Sequence, residues 1–176
     1  MTPPLYRRLL GQQFDELPVR VRELHDLSGT SVWAGRADVE RGRSWTARLV
    51  ASLLRLPPSG RAQILRVTFK PSRGREIWER KFNKTVFRSV QYQRAGLLRE
   101  RVGPTTFVFA LEASAHGLAL KLKSVRLLGF PLPQFLAPSV LTFETERDGH
   151  YQFDVEASLP FVGLIVRYVG WLEREA

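Results

Sequence analysis

This sequence predicts a mainly antiparallel β fold of the α+β class. The expected form is a curved sheet or an up-and-down, calycin-like β-barrel of about 8–10 strands, preceded by two or three helices. Three observations lead there. From Ala62 onward, short apolar–polar alternations follow one another, punctuated by Gly, Pro and Asn. Before it, apolar residues recur at helical spacing. The chain has 176 residues, 44% hydrophobic and 25% charged, which fits one globular domain. Within that domain, 1–29 reads as N-terminal helices, 30–61 as a first strand and helix, and 62–176 as antiparallel strands.

Leu5, Leu9, Leu10, Phe14 and Leu17 predict a first helix over 5–17, weakened by Gly11. Pro18 suits the first turn of a second, because its missing N–H is not needed there; Val21, Leu24 and Leu27 form its apolar edge. A strand over 30–40 carries Val32, Trp33 and Ala34. Ser44 is the expected N-cap of a helix over 45–56, with Leu49, Val50, Leu53, Leu54 and Leu56 as its stripe and Pro57-Pro58 as its stop. Strands follow around Leu65–Phe69, Arg75–Phe82, Val86–Arg94, Leu97–Val102, Thr105–Ala113 and Leu118–Leu128. An apolar crossing with Pro131, Pro133 and Pro138 leads into Val140–Glu146. Asp148-Gly149 is the clearest hairpin turn, and Phe161–Leu172 the last strand, with a helix beginning at Pro160 as the alternative. The helix between the first strand and the rest suits a barrel or half-barrel plugged by one helical element.

Composition excludes several chemistries. With no cysteine there are no disulfides, no thiolate catalysis and no cysteine-ligated metal. The N-terminus lacks the basic-then-apolar order of a signal peptide, and the long uncharged run from Leu127 to Phe143 is broken by prolines. A cytoplasmic protein, at most peripheral to the inner membrane, is expected. The net charge is +10, but only five of the 27 basic residues are lysines, and all are spread along the chain. Nucleic acid is therefore disfavoured as a partner. An anionic membrane surface remains an option through Phe130–Pro138, whose simpler role is to cover a barrel end.

The most informative stretch is Gly74–Phe82. Read as a strand, it puts Glu76, Trp78, Arg80 and Phe82 on one face and Arg75, Ile77, Glu79 and Lys81 on the other. An acid and a base thus share an aromatic face. At about 13 Å apart they are too distant for a direct pair, so each needs cross-strand partners, water or a ligand. The candidate ligand-binding residues are Glu76, Trp78, Arg80, Phe82, Glu100, Phe107, Phe109, Glu144, Tyr151 and Phe153. A buried guanidinium among aromatics suits an amphiphile with a carboxylate or phosphate head; the plainer alternative is a filled core.

Enzymatic options are thin. There is no P-loop, no Gly-x-Ser-x-Gly elbow and no Gly-x-Gly-x-x-Gly. His25 at a helix end, and His116 and His150 beside turn glycines, show no metal-ligand spacing and read as turn or surface residues. Glu76, Glu100, Glu144 and Asp154 could supply an acid–base pair, against the simpler reading that Arg80, Arg88 or Arg101 neutralise them. No catalytic residue, metal or cofactor is assigned.

Leu5–Gly11, Phe14–Pro18, Leu24-His25, Glu76–Phe82, Glu100–Pro104, Leu128–Pro133, Phe153–Val155 and Tyr168–Leu172 together resemble a bacterial family, domain of unknown function 4166. Its members stand alone or are fused to saccharopine-dehydrogenase-like proteins. The resemblance implies a bacterial domain without an established site, and a dehydrogenase-like protein as one partner class. The leading expectation is a non-catalytic domain that binds a hydrophobic or amphiphilic, lipid- or fatty-acid-like molecule. An interaction domain for a redox enzyme or anionic membrane, and a carboxylate-based enzyme, are the alternatives.

Overall fold

The structure, a computed structural model, describes residues 3–175. Two short helices, α1 (Leu5–Leu10) and α2 (Val19–His25), flank a 3-10 segment, Gly11–Glu16. Then come β1 (Ser31–Arg41), α3 (Trp45–Leu53) and a run of strands. These are β2 (Gly60–Ser72), β3 (Arg75–Phe82), β4 (Thr85–Arg94), β5 (Leu97–Val102), β6 (Thr105–Ser114) and β7 (Gly117–Leu127). The short β8 (Phe130–Pro131) precedes β9 (Ser139–Arg147), β10 (His150–Leu159) and β11 (Gly163–Arg174).

Ten of these strands close into an antiparallel barrel. The ladder runs β1-β2-β3-β4-β5-β6-β7-β9-β10-β11, and β11 pairs with β1 from Trp33↔Arg174 to Arg41↔Val166. The short β8 only extends the end of β7. Closure removes the open edges that a long sheet would expose. Alternation sets the inside: Leu65, Val67 and Phe69 of β2 face inward while Arg66 and Lys70 face water. Along β6–β7 the register shifts between Val108 and Phe109, where Lys123 is the extra residue. The bulge returns Val125 to the interior after Leu118 and Leu120.

The two barrel ends differ. One is sealed by α1, the 3-10 segment and α2, which bury Leu5, Tyr6, Leu10, Phe14, Leu17, Val21 and Leu24. Each such side chain contributes about 1.5–3 kcal/mol of burial. The expected single helix over 5–17 breaks at Gly11, whose φ of 56° ends α1. At the other end, α3 starts from the Ser44 cap, whose Oγ accepts from Ala47 N at 3.2 Å. It stops at Leu53 rather than Leu56: the N–H of Leu56 returns to Ala51 O and that of Arg55 to Ser52 O, with Arg55 left-handed. The expected apolar stripe of α3 is split. Ala47 and Ala51 are buried and Val50 and Leu54 turn inward, but Leu49 and Leu53 face water. No helix among the described residues is long and apolar enough to cross a membrane.

The β1–β11 seam depends on two glycines. A Cβ on Gly35 would lie 2.0 Å from Trp171 O, and one on Gly170 would lie 2.2 Å from Arg36 O and 2.8 Å from Phe153 Cζ. These strands approach and coil in a way only glycine allows. Gly170→Val should therefore lower stability by about 3 kcal/mol. Gly29→Ala, where a Cβ meets nothing within 4 Å, should stay within about 0.5 kcal/mol. Denaturant unfolding of both variants checks this, and equal effects would refute the close approach.

Candidate functional site

Ten strands enclose more space than their inward side chains fill. A cavity of about 460 Å³ runs along the axis, from Tyr6 on the helical plug to Leu53, Leu127 and Leu132 at the α3 end. Such a volume lies within the range of small-molecule sites, roughly 300–1,000 Å³. Near α3 its wall is apolar, built by Val50, Leu54, Val102, Val140 and Leu159. Polar groups gather deeper: Arg80, Gln91, Glu100, Glu144 and three tyrosines, Tyr6, Tyr151 and Tyr168.

Arg80 is the centre of this deeper half. Its Nη1 donates to Ser89 Oγ at 2.8 Å and its Nη2 to Glu100 Oε1 at 3.3 Å, across β3, β4 and β5. The guanidinium also lies over Trp78 and Phe87, 4.8 and 5.2 Å from the ring centroids. Burial alone would lower its pKa, but the charge of Glu100 opposes that and the value is raised. The group is a fixed cation, with donors beyond the two engaged ones.

Glu144 lies on the floor of the cavity, joined to the plug. His25 Nε2 and Glu144 Oε2 are 2.5 Å apart, and the imidazole stacks on Tyr6 with centroids 3.7 Å apart. Tyr6 in turn donates to Gln91 Oε1 at 2.9 Å. Burial first, and then the charge of Glu144, raise Tyr6 and Tyr151 well above the ordinary phenol; burial pushes Tyr168 up to about 12. All three stay protonated at neutral pH and serve as hydrogen-bonding walls.

Of the ten residues the sequence singled out, nine line this cavity: Trp78, Arg80, Phe82, Glu100, Phe107, Phe109, Glu144, Tyr151 and Phe153. Glu76 does not. It shares their face but lies behind the indole, where Trp78 Nε1 donates to Glu76 Oε2 at 3.0 Å, while its Oε1 is buried with no partner. The sequence reading of His25 as a turn or surface residue is overturned: it is fully buried, because α2 lays its inner face on β9 and β10. Tyr6, Gln91 and Tyr168 were missed. Gln91, an amide in phase with Phe87 and Ser89 on β4, was the readable signal; the helical Tyr6 gave none.

Three of the four candidate acids have partners of their own. Glu100 is held by Arg80, Glu144 by His25 and Asp154, outside the barrel, by Arg167 at 2.7 Å. Among the described residues no three His, Asp or Glu side chains are grouped to hold a metal ion.

Burial raises the Glu76 carboxyl above its ordinary 4.5, against the opposing pulls of the Trp78 indole, His25, the Leu5 N–H and Arg8. The folded state thus holds this proton more tightly than the unfolded chain, and stability falls as pH rises through the raised value. Glu76→Gln keeps an acceptor for Trp78 and removes the charge. It should be more stable than the wild type at pH 7, with the difference vanishing as pH falls to about 4.5. Urea unfolding at a series of pH values checks this; a gap that widens on acidification would refute it.

No curated protein and no solved structure matches the chain. Residues 17–172 match a domain of unknown function, DUF4166, a span that takes in α2, α3 and nearly all of the barrel. This plugged ten-stranded barrel therefore belongs to the DUF4166 family.

Proposed function

We propose that the domain binds a hydrophobic or amphiphilic small molecule inside the barrel, as a carrier or sensor rather than a catalyst. The observation that carries this reading is the cavity itself, about 460 Å³, apolar toward α3 and polar at depth. That gradient suits a molecule with its head beside Arg80, Gln91 and the tyrosines and its tail toward Leu54 and Val140.

Charge balance favours one head class. The sequence alone suggested a lone guanidinium and hence an anionic head, but Arg80 already faces Glu100, and Glu144 lines the same floor. A carboxylate or phosphate would compete with Glu100 for Arg80 and be repelled by it. An uncharged head, a hydroxyl, carbonyl or amide, uses the spare donors of Arg80 without that repulsion.

Dodecanol and dodecanoate have the same tail and test this directly. Quenching of Trp78 fluorescence should show dodecanol binding more tightly at pH 8. Ala157→Trp, which fills the cavity wall, should abolish binding of both. Arg80→Met combined with Glu100→Met should weaken the alcohol about tenfold, one lost hydrogen bond. If neither compound binds, and native mass spectrometry of the purified protein finds no bound apolar molecule, the reading fails.

A further inference from the structure

The mouth of the barrel is apolar outside as well as inside. Trp45, Leu49 and Leu53 recur every four residues along the outer face of α3, with Trp45 76% and Leu53 72% exposed. Phe130, 77% exposed, and Phe135, 69% exposed, stand in the connection from β7 to β9, and Phe161 is 95% exposed at the β10–β11 turn. Isolated exposed apolar residues need no explanation, but these gather at one end of the barrel. They stand at the same ends of β1, β11, β10, β9 and β7, which are consecutive around the barrel. The wall just below continues the pattern with exposed Leu141.

Charge is segregated in the same direction. The segments that build this rim (41–61, 83–85, 101–105, 126–140 and 159–163) hold eight Arg or Lys residues and no Asp or Glu. Arg41 is occupied by the carbonyls of Leu56 and Pro57. The other seven, including Arg43, Arg48, Arg61, Lys84, Arg101 and Arg126, are exposed. The plugged end instead takes most of the acids, among them Asp15, Glu23, Asp26, Glu112, Asp148 and Glu173.

We propose that this rim docks on a lipid bilayer bearing anionic headgroups. Trp45, Leu53, Phe130, Phe135 and Phe161 enter the headgroup region, and the surrounding cations contact phosphates. Aromatic residues suit that interface, with apolar rings and polar surroundings. Two such rims repel each other, which argues against a second copy as the occupant. A phosphate backbone would leave the apolar residues unused, which argues against nucleic acid. Docking holds the cavity mouth, at Leu53 and Leu127, against the acyl chains. It does not depend on what the cavity binds.

The test uses the full chain and vesicles of phosphatidylcholine, with or without phosphatidylglycerol. Co-sedimentation should need phosphatidylglycerol and weaken as salt rises. The triple substitution Phe130→Ser, Phe135→Ser and Phe161→Ser should lower partition about tenfold or more, with an unchanged unfolding transition. Arg48→Glu at the rim should weaken binding more than Arg94→Glu at the plugged end, although both change net charge equally. Lipids brominated on the acyl chains should quench fluorescence in the wild type and less in Trp45→Phe. The proposal is overturned if phosphatidylglycerol vesicles do not bind, if the triple variant binds like the wild type, or if the two arginine variants are equivalent. It is also overturned if the triple substitution dissolves a dimer instead.

Discussion

The pairing of β11 with β1 fixes the circumference of the molecule, and the circumference fixes everything else. Ten strands make a tube too wide for one layer of inward side chains to fill. The plugged end is closed by helices that carry their own apolar faces, from Leu5 to Leu24. The interior keeps an axial space, and the other end is covered by α3 and the proline-rich connection. Glycine at 35 and 170 is the local condition for the seam, since a side chain at either would collide with backbone across it.

Within the tube, buried polar side chains find partners on other elements. Arg80 on β3 meets Glu100 on β5, and His25 on α2 meets Glu144 on β9. Each pair ties together segments remote in sequence, and His25–Glu144 also fastens the plug to the wall. Such pairs add little net stability, because desolvation costs about what attraction returns. Their effect is on arrangement: the plug has one seating in which His25 finds its carboxylate and Tyr6 finds Gln91.

Much of this was legible in the sequence, for identifiable reasons. The barrel strands announced themselves through period-two alternation and turn residues, and the inward face of Gly74–Phe82 was read correctly. The cavity wall followed, because residues in phase with Trp78 and Phe109 point to the same interior. What could not be read depends on contacts between distant segments. Tyr6 and His25 sit on helices whose sequence does not say which barrel end they seal. Glu76 shows the limit of periodicity: alternation gives the face, but depth along the axis decides between cavity and plug. On α3, periodicity gave an apolar stripe, yet only the curvature of the barrel beneath determines that Val50 and Leu54 turn in while Leu49 and Leu53 turn out.

The β1–β11 seam also sets the order in which the chain can fold. Trp33 pairs with Arg174, so the closing ladder joins the first strand to the last. The hairpins from β2 to β7 have local partners and can form early. The seam cannot form until the final strand is available. Topologies dominated by such remote pairings fold slowly. Until β11 docks, the inward edge of β1 and the apolar wall behind it are open to other chains. During synthesis, this domain therefore spends its most aggregation-prone interval just before its last strand leaves the ribosome.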